Sequence, residues 1–223
     1  MEIRAAAEMK ADNIQTMGQS LGEQYSVLWQ EVAAIHRNWR EFVELYGTKR
    51  DRLDLLNRAA GSFFRMVQDS VWDGTLMHLS RLTGSSKSTG KDNLTIRNFP
   101  NLISDATKKK QVEQLVQEVI DKTEFCRDQR NRRLGHLDLK LALGQPAVPL
   151  ADADKAKVDA ALKAIVDVMN AVGGETAYGM FSPPNGVVGL LYVIDDGLKA
   201  EEQRSERLRQ GKPLDGDFKP RHL

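Results

Sequence analysis

The chain has 223 residues, of which 41% are hydrophobic and 28% charged, and its formal net charge is +1. The length predicts one domain with extensions, and the composition is that of a globular protein and not of a disordered one. The even charge balance argues against a strongly basic surface for duplex nucleic acid, although one local basic patch is present: Arg127, Arg130, Arg132 and Arg133.

Cysteine usage and apolar runs indicate the compartment. Cys126 is the one cysteine, so no internal disulfide can form, and no Cys/His spacing indicates a zinc site. We therefore expect no metal and no cofactor. The opening MEIRAAAEMK lacks the apolar core of a signal peptide, and the longest apolar run, GVVGLLYVI, is far shorter than the ~20 residues of a membrane span. The sequence predicts a soluble cytoplasmic protein with no membrane partner.

Two long helices are predicted in the first part of the chain. Apolar residues recur at steps of three and four from Tyr25 to Tyr46, on one face of a helix that ends near Gly47. A second periodic segment runs from Lys49 to Leu82. Its apolar residues spread beyond one stripe in the second half, as expected of a central helix that is enclosed by its neighbours.

The segment TGSSKSTGKDN, residues 83–93, imitates a phosphate-binding loop. Five residues separate Gly84 from Gly90 where a P-loop has four, and Asp92 stands where Ser or Thr would bind magnesium. The preceding segment is helical and not a strand. We therefore expect a polar, mobile connection.

Two further helices follow this loop. The third predicted helix begins at Ser104 or Asp105 and runs into the arginine cluster. The fourth runs from Asp152 to Val172, where Asp152 or Asp154 caps its first turn and a pair of glycines ends it.

The fifth predicted helix follows the loop MFSPPNG, is capped by Asn185 and carries apolar residues as far as Leu198. From Lys199 onward the chain is nearly all polar, which predicts a solvated helix end and a disordered C-terminal tail. We therefore divide the chain into an N-terminal extension (1–20), a helical domain (21–200) and a polar tail (201–223).

The predicted architecture is an all-α helical bundle of about five helices with polar loops. One segment shows the alternation that is typical of a strand. Because no partner strand is evident, we expect it to be extended chain packed against the bundle: Leu137, Leu139, Leu141 and Leu143.

Arg130 has an unusual position on the third predicted helix. It follows Val112 by 18 residues, a whole number of turns, and would therefore point from the centre of the apolar stripe. A guanidinium there must meet a carboxylate, reach solvent near the helix end, or line a cleft that accepts an anion. His136 lies six residues further on, and a break at Gly135 would let its imidazole turn back towards Arg130.

An arginine and a histidine so placed can cleave a phosphodiester. The arginine fork binds phosphate oxygens and stabilises the charge of the transition state, while a histidine ordinarily titrates near neutral pH and can transfer the proton. With RNA, the substrate's own 2′-hydroxyl serves as the nucleophile, so no metal is required. The alternative is a plain helix C-terminus whose basic residues interact with the helix dipole.

Arg130, Asn131 and His136 form the pattern R-N-x4-H at the end of a long amphipathic helix. This pattern resembles the HEPN superfamily, whose signature is R-x4-6-H, and most of all its abortive-infection branch of AbiU type. The helix order and three segments carry the resemblance over most of residues 21–200: LWQEVAAIHRNWREFVELYG, VWDGTLMHLSRLTG and RNRRLGHLDL. The resemblance implies a homodimer that joins two motifs in one cleft, and metal-independent RNA cleavage in active members. It implies that Arg130 and His136 are catalytic and that Asn131 is the polar residue beside them.

Three neighbours of the motif have candidate roles of their own. Arg132 falls on the opposite helix face and is predicted to be a solvated charge. Arg133 is a candidate for assisting RNA phosphate binding. Asp138 shares a side with His136 if the chain is extended there, and either orients the imidazole or is a surface carboxylate.

A second polar group lies on the second predicted helix. Asp73, His78 and Arg81 are expected to form a structural network, with Asp73 paired to Arg81, in preference to lining a cleft. Phe125 projects from the polar face of the third helix and is a candidate dimer contact.

The sequence therefore supports two hypotheses. The first is a dimeric ribonuclease of abortive-infection or toxin type that acts on RNA, with an antitoxin or defence-system protein as a further partner. The second is a non-catalytic helical module that binds nucleic acid, a nucleotide or a protein. HEPN systems that act with a nucleotidyltransferase use a tyrosine shortly after the histidine, and none occurs between His136 and Tyr178.

Overall fold

A computed structural model describes residues 6–174 and 186–218. These ranges contain nine α-helices: α1 (Ala6–Met17), α2 (Gln19–Tyr46), α3 (Arg50–Leu82), α4 (Phe99–Leu102), α5 (Ala106–Lys122), α6 (Glu124–Gln129), α7 (Leu139–Ala142), α8 (Lys155–Gly173) and α9 (Gly186–Arg209). The all-α class is confirmed. The expected count of about five is too low because three helices were not predicted and because the third predicted helix is divided into α5 and α6.

The described chain forms two compact units. The first contains residues 6–39 and 71–174, and the second contains residues 40–70 and 186–218. The long helices α2 and α3 each contribute to both units. The motif residues all belong to the first unit.

The first unit is built on the predicted apolar faces. One face of α2 is buried, and α5 packs along α8. Trp39, at the end of the buried face of α2, donates a 2.7 Å hydrogen bond from Nε1 to Asp159 of α8. The buried residues that these four helices contribute to the core include Leu28, Val32 and Ile35 (α2), Leu76 and Leu79 (α3), Val112 and Val119 (α5), and Val158, Leu162, Ile165 and Met169 (α8).

Aspartates begin both of the helices that frame the motif. Asp105 accepts a 2.7 Å hydrogen bond from the backbone amide of Lys108 and starts α5. Of the two aspartates predicted to cap the fourth helix, Asp154 does so, with a 2.8 Å bond from the amide of Lys157. The predicted cap of the fifth helix, Asn185, and the loop before it lie outside the described residues.

The loop at 83–93 contains a short antiparallel hairpin of β1 (Lys87–Ser88) and β2 (Lys91–Asp92). Lys87 pairs with Asp92, and Ser88 with Lys91. A one-turn 3-10 helix, Ile96–Asn98, follows it and leads into α4.

The second unit has a small apolar core formed by Leu45, Leu56, Val187 and Leu191. Its portion of α3 is interrupted at Ala60, whose backbone is extended (φ −164°). In this unit the chain stays ordered further than the sequence predicted, since α9 continues to Arg209 and a 3-10 turn, Asp215–Phe218, follows.

Asp217 explains why the polar segment after α9 is ordered. Its carboxylate accepts two hydrogen bonds from Arg207, at 2.6 and 2.9 Å, and one from the amide of Leu214, while Arg204 donates to its carbonyl. The hydrogen bonds from Arg207, followed by the one from Leu214, hold the pKa of Asp217 at about 2. Periodicity could not predict this contact, because it depends on ion pairs and not on apolar spacing.

The alternating leucines after the motif are neither strand nor packed chain. Asp138 caps the four-residue helix α7, and the leucines at 137, 139 and 143 are between 61% and 74% exposed. The expectation of extended chain packed against the bundle is therefore wrong. Within the described ranges, no helix has the length and apolarity that a bilayer crossing requires.

Candidate active site

The helical segment that carries the motif changes register at Thr123, where α5 ends and α6 begins. The backbone of Thr123 leaves helical geometry (φ −109°, ψ 9°), and the amide of Cys126 bonds to its carbonyl over a tight i→i+3 turn. Gln129 is buried as a result, while Arg130 is exposed. The prediction that Arg130 points from the centre of the apolar stripe is wrong because it assumed one uninterrupted helix.

The same register change corrects the interpretation of Phe125. The sequence placed it on the polar face as a candidate dimer contact, whereas the structure buries it with 8% of its surface exposed. Phe125 is therefore a core residue of the first unit.

A π-helix, Arg130–Leu134, follows α6 and contains most of the motif. Its closing bond runs over five residues, from the amide of Gly135 to the carbonyl of Arg130 at 2.7 Å. A Cβ atom on Gly135 would lie 3.0 Å from that carbonyl oxygen, so the absence of a side chain permits this turn. Such π turns occur often at functional sites, and this one brings the backbone just before His136 against Arg130.

The guanidinium of Arg130 is oriented by the next residue. Its Nε and Nη2 both donate to Asn131 Oδ1, at 2.9 and 2.7 Å. Both side chains are exposed, and among the described residues Arg130 has no carboxylate partner. Because the amide oxygen is uncharged, this contact does not offset the positive charge of the guanidinium, and it uses only two of the five N–H groups.

His136 is exposed and follows the π-helix directly. In the described part of the chain its imidazole has no hydrogen-bond partner, and no hydrogen bond joins it to the side chain of Arg130. The bond from the Gly135 amide to the Arg130 carbonyl therefore keeps the two motif residues close in the backbone, and both residues are exposed.

Arg132 is an anchor and not the solvated charge that the sequence predicted. It pairs with Asp128 and Asp138, both at 3.4 Å, and donates to the carbonyls of Val148 (2.5 Å) and Pro149 (3.2 Å). It also lines an open groove of about 560 Å³ in the first unit, which neither Arg130 nor His136 lines. Arg132 therefore ties the segment after α7 to the motif.

Arg133 joins the motif to α3. Its guanidinium pairs with Asp73 at 2.5 Å, and its Nε donates to Gln129 Oε1 at 2.8 Å. Gln129 in turn donates to the carbonyl of Ala151 at 2.8 Å. Gln129 was not predicted as part of the site, although its i, i+4 spacing to Arg133 is the signal that would have indicated it.

Both carboxylate oxygens of Asp138 accept hydrogen bonds from residues nearby in the chain. Oδ1 accepts from the amides of Lys140 (3.0 Å) and Leu141 (3.2 Å), and Oδ2 accepts from Arg132. The bond from Leu141, opposed by partial burial and helped by Arg132, lowers the pKa of Asp138. Within the described residues no hydrogen bond joins Asp138 to His136.

The second polar group is a structural network, but its pairing differs from the prediction. His78 bonds to Glu31 of α2 at 2.9 Å and Arg81 pairs with the same carboxylate, whereas Asp73 pairs with Arg133. Burial, followed by the charge of Arg81, lowers the pKa of His78. In residues 6–174 and 186–218, no three His, Cys, Asp or Glu side chains are grouped as a metal site would need.

An all-α chain in which an exposed R-N-x4-H motif ends a long helical segment is the arrangement of a HEPN domain. The family model of AbiU2, a HEPN-type abortive-infection family, matches residues 18–187, which is most of the chain. The chain belongs to this family. No curated protein and no solved structure matches the chain significantly.

Proposed function

We propose that this protein is a metal-independent endoribonuclease of abortive-infection or toxin type. Arg130 binds and stabilises the scissile phosphate, His136 acts as general acid or base, and Asn131 positions the guanidinium of Arg130. Arg133 and Asp138 support the site without touching the phosphate. Arg133 binds Asp73 of α3 and Gln129 of α6, and Asp138 binds Arg132 of the π-helix. Cleavage of cellular RNA during infection stops phage growth, and an antitoxin or defence-system partner restrains the activity until then.

The reaction needs only groups that the chain and RNA supply. The 2′-hydroxyl oxygen attacks the adjacent phosphorus, a base takes its proton, and the bond from phosphorus to the 5′ oxygen breaks. An acid gives a proton to that leaving oxygen. The products are a 2′,3′-cyclic phosphate and a 5′-hydroxyl, so no water, metal or redox partner enters this step.

The main support for the proposal is the difference in hydrogen-bond partners among the three motif arginines. Arg132 and Arg133 pair with carboxylates, whereas Arg130 bonds to a neutral amide oxygen and has no carboxylate partner among the described residues. An exposed, oriented and unneutralised guanidinium binds a phosphate better than one that must first leave a carboxylate. The helix-cap alternative does not explain why this arginine alone of the three is left open beside an exposed histidine.

Arg130→Gln tests this proposal. Purified protein is incubated with a mixed RNA pool in EDTA, and we expect the variant to cleave roughly 10²–10³ times more slowly, because the charge that stabilises the transition state is gone. Arg65→Gln is the matched control, since it removes an exposed arginine that pairs with Asp69 at 3.1 Å. If the wild type does not cleave, the binding-module hypothesis is favoured. If both variants cleave alike, the activity arises at another site and the assignment of Arg130 is wrong.

We also propose that the active form is a homodimer. The reaction needs a base and an acid, and two copies supply two His136 imidazoles. A surface suited to self-association flanks this histidine, because Leu137, Leu139 and Leu143 are mostly exposed. Exposed leucines so close together are typical of an interaction site.

Leu137→Ser combined with Leu143→Ser tests the dimer. Losing two buried leucine contacts on each copy is expected to weaken association by at least about 100-fold, which sedimentation over a concentration series measures. Leu94→Ser, which removes a 38% exposed leucine elsewhere in the first unit, is the control. A monomeric wild type, or a double variant that dimerises as the wild type does, would refute this surface.

A further inference from the structure

Asp73 of α3 contacts the π-helix from a distant part of the chain. Arg133 Nη2 donates to Asp73 Oδ1 at 2.5 Å, and Nη1 lies 3.5 Å from Oδ2, so the guanidinium faces both carboxylate oxygens. Among the described residues, the other hydrogen-bond and ion-pair partners of the π-helix side chains lie between residues 128 and 149. Asp73 is therefore the partner that ties this turn to a helix outside that segment.

The direction of Arg130 depends on what holds the π turn. Such turns are rare and seldom extend beyond one turn. The amide of Gly135 closes this one onto the carbonyl of Arg130 at 2.7 Å. If the turn returned to α-helical bonding, it would contain one residue fewer, and the side chain of Arg130 would point in another direction relative to the bundle.

Arg133 is held on two sides. Its Nε donates to Gln129 Oε1 at 2.8 Å, while its two Nη groups face Asp73. Gln129 is 7% exposed and donates in turn to the carbonyl of Ala151 at 2.8 Å. Because a guanidinium is planar and rigid, contacts on two of its edges fix its orientation. These contacts hold the π-helix between α3 and the chain just before α8.

The ion pair is too exposed to contribute much to stability. The side chains of Arg133 and Asp73 are 37% and 35% exposed, and ion pairs that water reaches contribute little to the free energy of unfolding. Placement at an active site has larger consequences, since a shift of about 1 Å in a reacting group can slow catalysis by about 100-fold. The loss of this pair should therefore affect a reaction at Arg130 more than it affects the fold.

We propose that Asp73 is a positioning residue of the candidate site. It acts through Arg133 to hold the π-helix, and it thereby directs Arg130 at the scissile phosphate. This inference rests on the proposed function for the reaction that it serves. Asp73 does not touch the substrate, because its carboxylate is engaged by Arg133.

Asp73→Ala, Arg133→Ala and the double variant test this role in RNA cleavage, measured well below the melting temperature of each protein. Each single variant is expected to lower kcat by about 10- to 100-fold with KM nearly unchanged, because the substrate still binds while the geometry of the transition state is lost. The double variant should lose no more than either single one, since both remove the same contact. Asp73→Asn keeps an acceptor for Arg133 and should recover part of kcat.

Arg81→Ala is the matched control, because it removes the pair with Glu31 from the same helix without touching the π-helix. Its kcat should equal that of the wild type. A lower KM in Asp73→Ala would mean that Asp73 only keeps Arg133 away from RNA. A higher KM with unchanged kcat in Arg133→Ala would mean that Arg133 binds RNA directly. Either result overturns the inference, as do losses of kcat that add up in the double variant.

Hydrogen exchange of the Gly135 amide reports on the π turn without any substrate. This exchange is expected to be several-fold faster in Asp73→Ala because the turn opens more often, whereas the amide of Thr83, bonded to the carbonyl of Leu79 at the end of α3, should exchange as in the wild type. An unchanged rate at Gly135 overturns the inference.

The two measurements separate this inference from the proposed function. If the wild type cleaves RNA and Asp73→Ala keeps its kcat, the inference is overturned and the proposed function stands. If the wild type cleaves no RNA, the proposed function fails. The exchange of Gly135 then decides the inference: a faster rate in Asp73→Ala supports the hold of Asp73 on the motif, and an equal rate overturns it.

Discussion

His136→Ala is expected to reduce RNA cleavage in EDTA by about two to four orders of magnitude, the contribution that a positioned acid or base usually makes. The imidazole is exposed and bonds to no other described residue, so its removal takes away a proton-transfer group without breaking a structural contact. The melting temperature should therefore stay close to that of the wild type. Added imidazole should restore part of the activity, because an exposed site can admit it.

His78→Ala is the matched control for this variant. That side chain is mostly buried and bonds to Glu31, so its loss is expected to lower stability while the folded protein keeps its activity. The opposite pattern, in which His136→Ala cleaves as well as the wild type, would mean that the activity arises at another site and that the motif assignment is wrong.

Gly173→Ala is expected to lower the free energy of unfolding by about 2–3 kcal/mol. A Cβ atom at this position would lie 2.0 Å from the hydroxyl oxygen of Tyr25 and 2.4 Å from its ring. Tyr25 is 4% exposed and packs against Phe99, so the ring cannot move aside without opening the core of the first unit. The melting temperature should fall by roughly 5–10 °C, which calorimetry measures.

Gly74→Ala makes the same chemical change in an open place. Gly74 is exposed in α3 and its added Cβ would meet nothing within 4 Å, so this variant should be stabilised by up to about 1 kcal/mol. Combining Gly173→Ala with Tyr25→Leu should cost less than the sum of the two single changes, because both act on one contact. Equal melting temperatures for the two alanine variants would contradict the packing argument.

The sequence predicted the helices whose apolar spacing is regular. The first predicted helix ends within a residue of its expected end, and the second has nearly its expected bounds in α3. Tyr25, Leu28, Val32 and Ile35 are buried as their spacing requires. Short helices such as α7 were missed, because four residues show no helical period and their leucines alternate as in a strand.

The candidate site was located by the sequence but not described by it. The residues of the motif R-N-x4-H are read directly from the sequence, their resemblance to the HEPN superfamily suggested the family, and the match over residues 18–187 confirms the family. The assignment of Arg132 to solvent failed because its partners include the carbonyls of Val148 and Pro149, which lie 16 and 17 residues away in the chain.

By itself the sequence determined the all-α class, the main helices and the position of the motif, because each depends on a local period or a local pattern. Only the tertiary structure decided which of the clustered arginines pair with a carboxylate. Asp73 and Arg133 are 60 residues apart, and a helical wheel does not show that they meet. It also decided that Arg130 faces outward, since the break at Thr123 and the π-helix change the register that a regular helix would have kept.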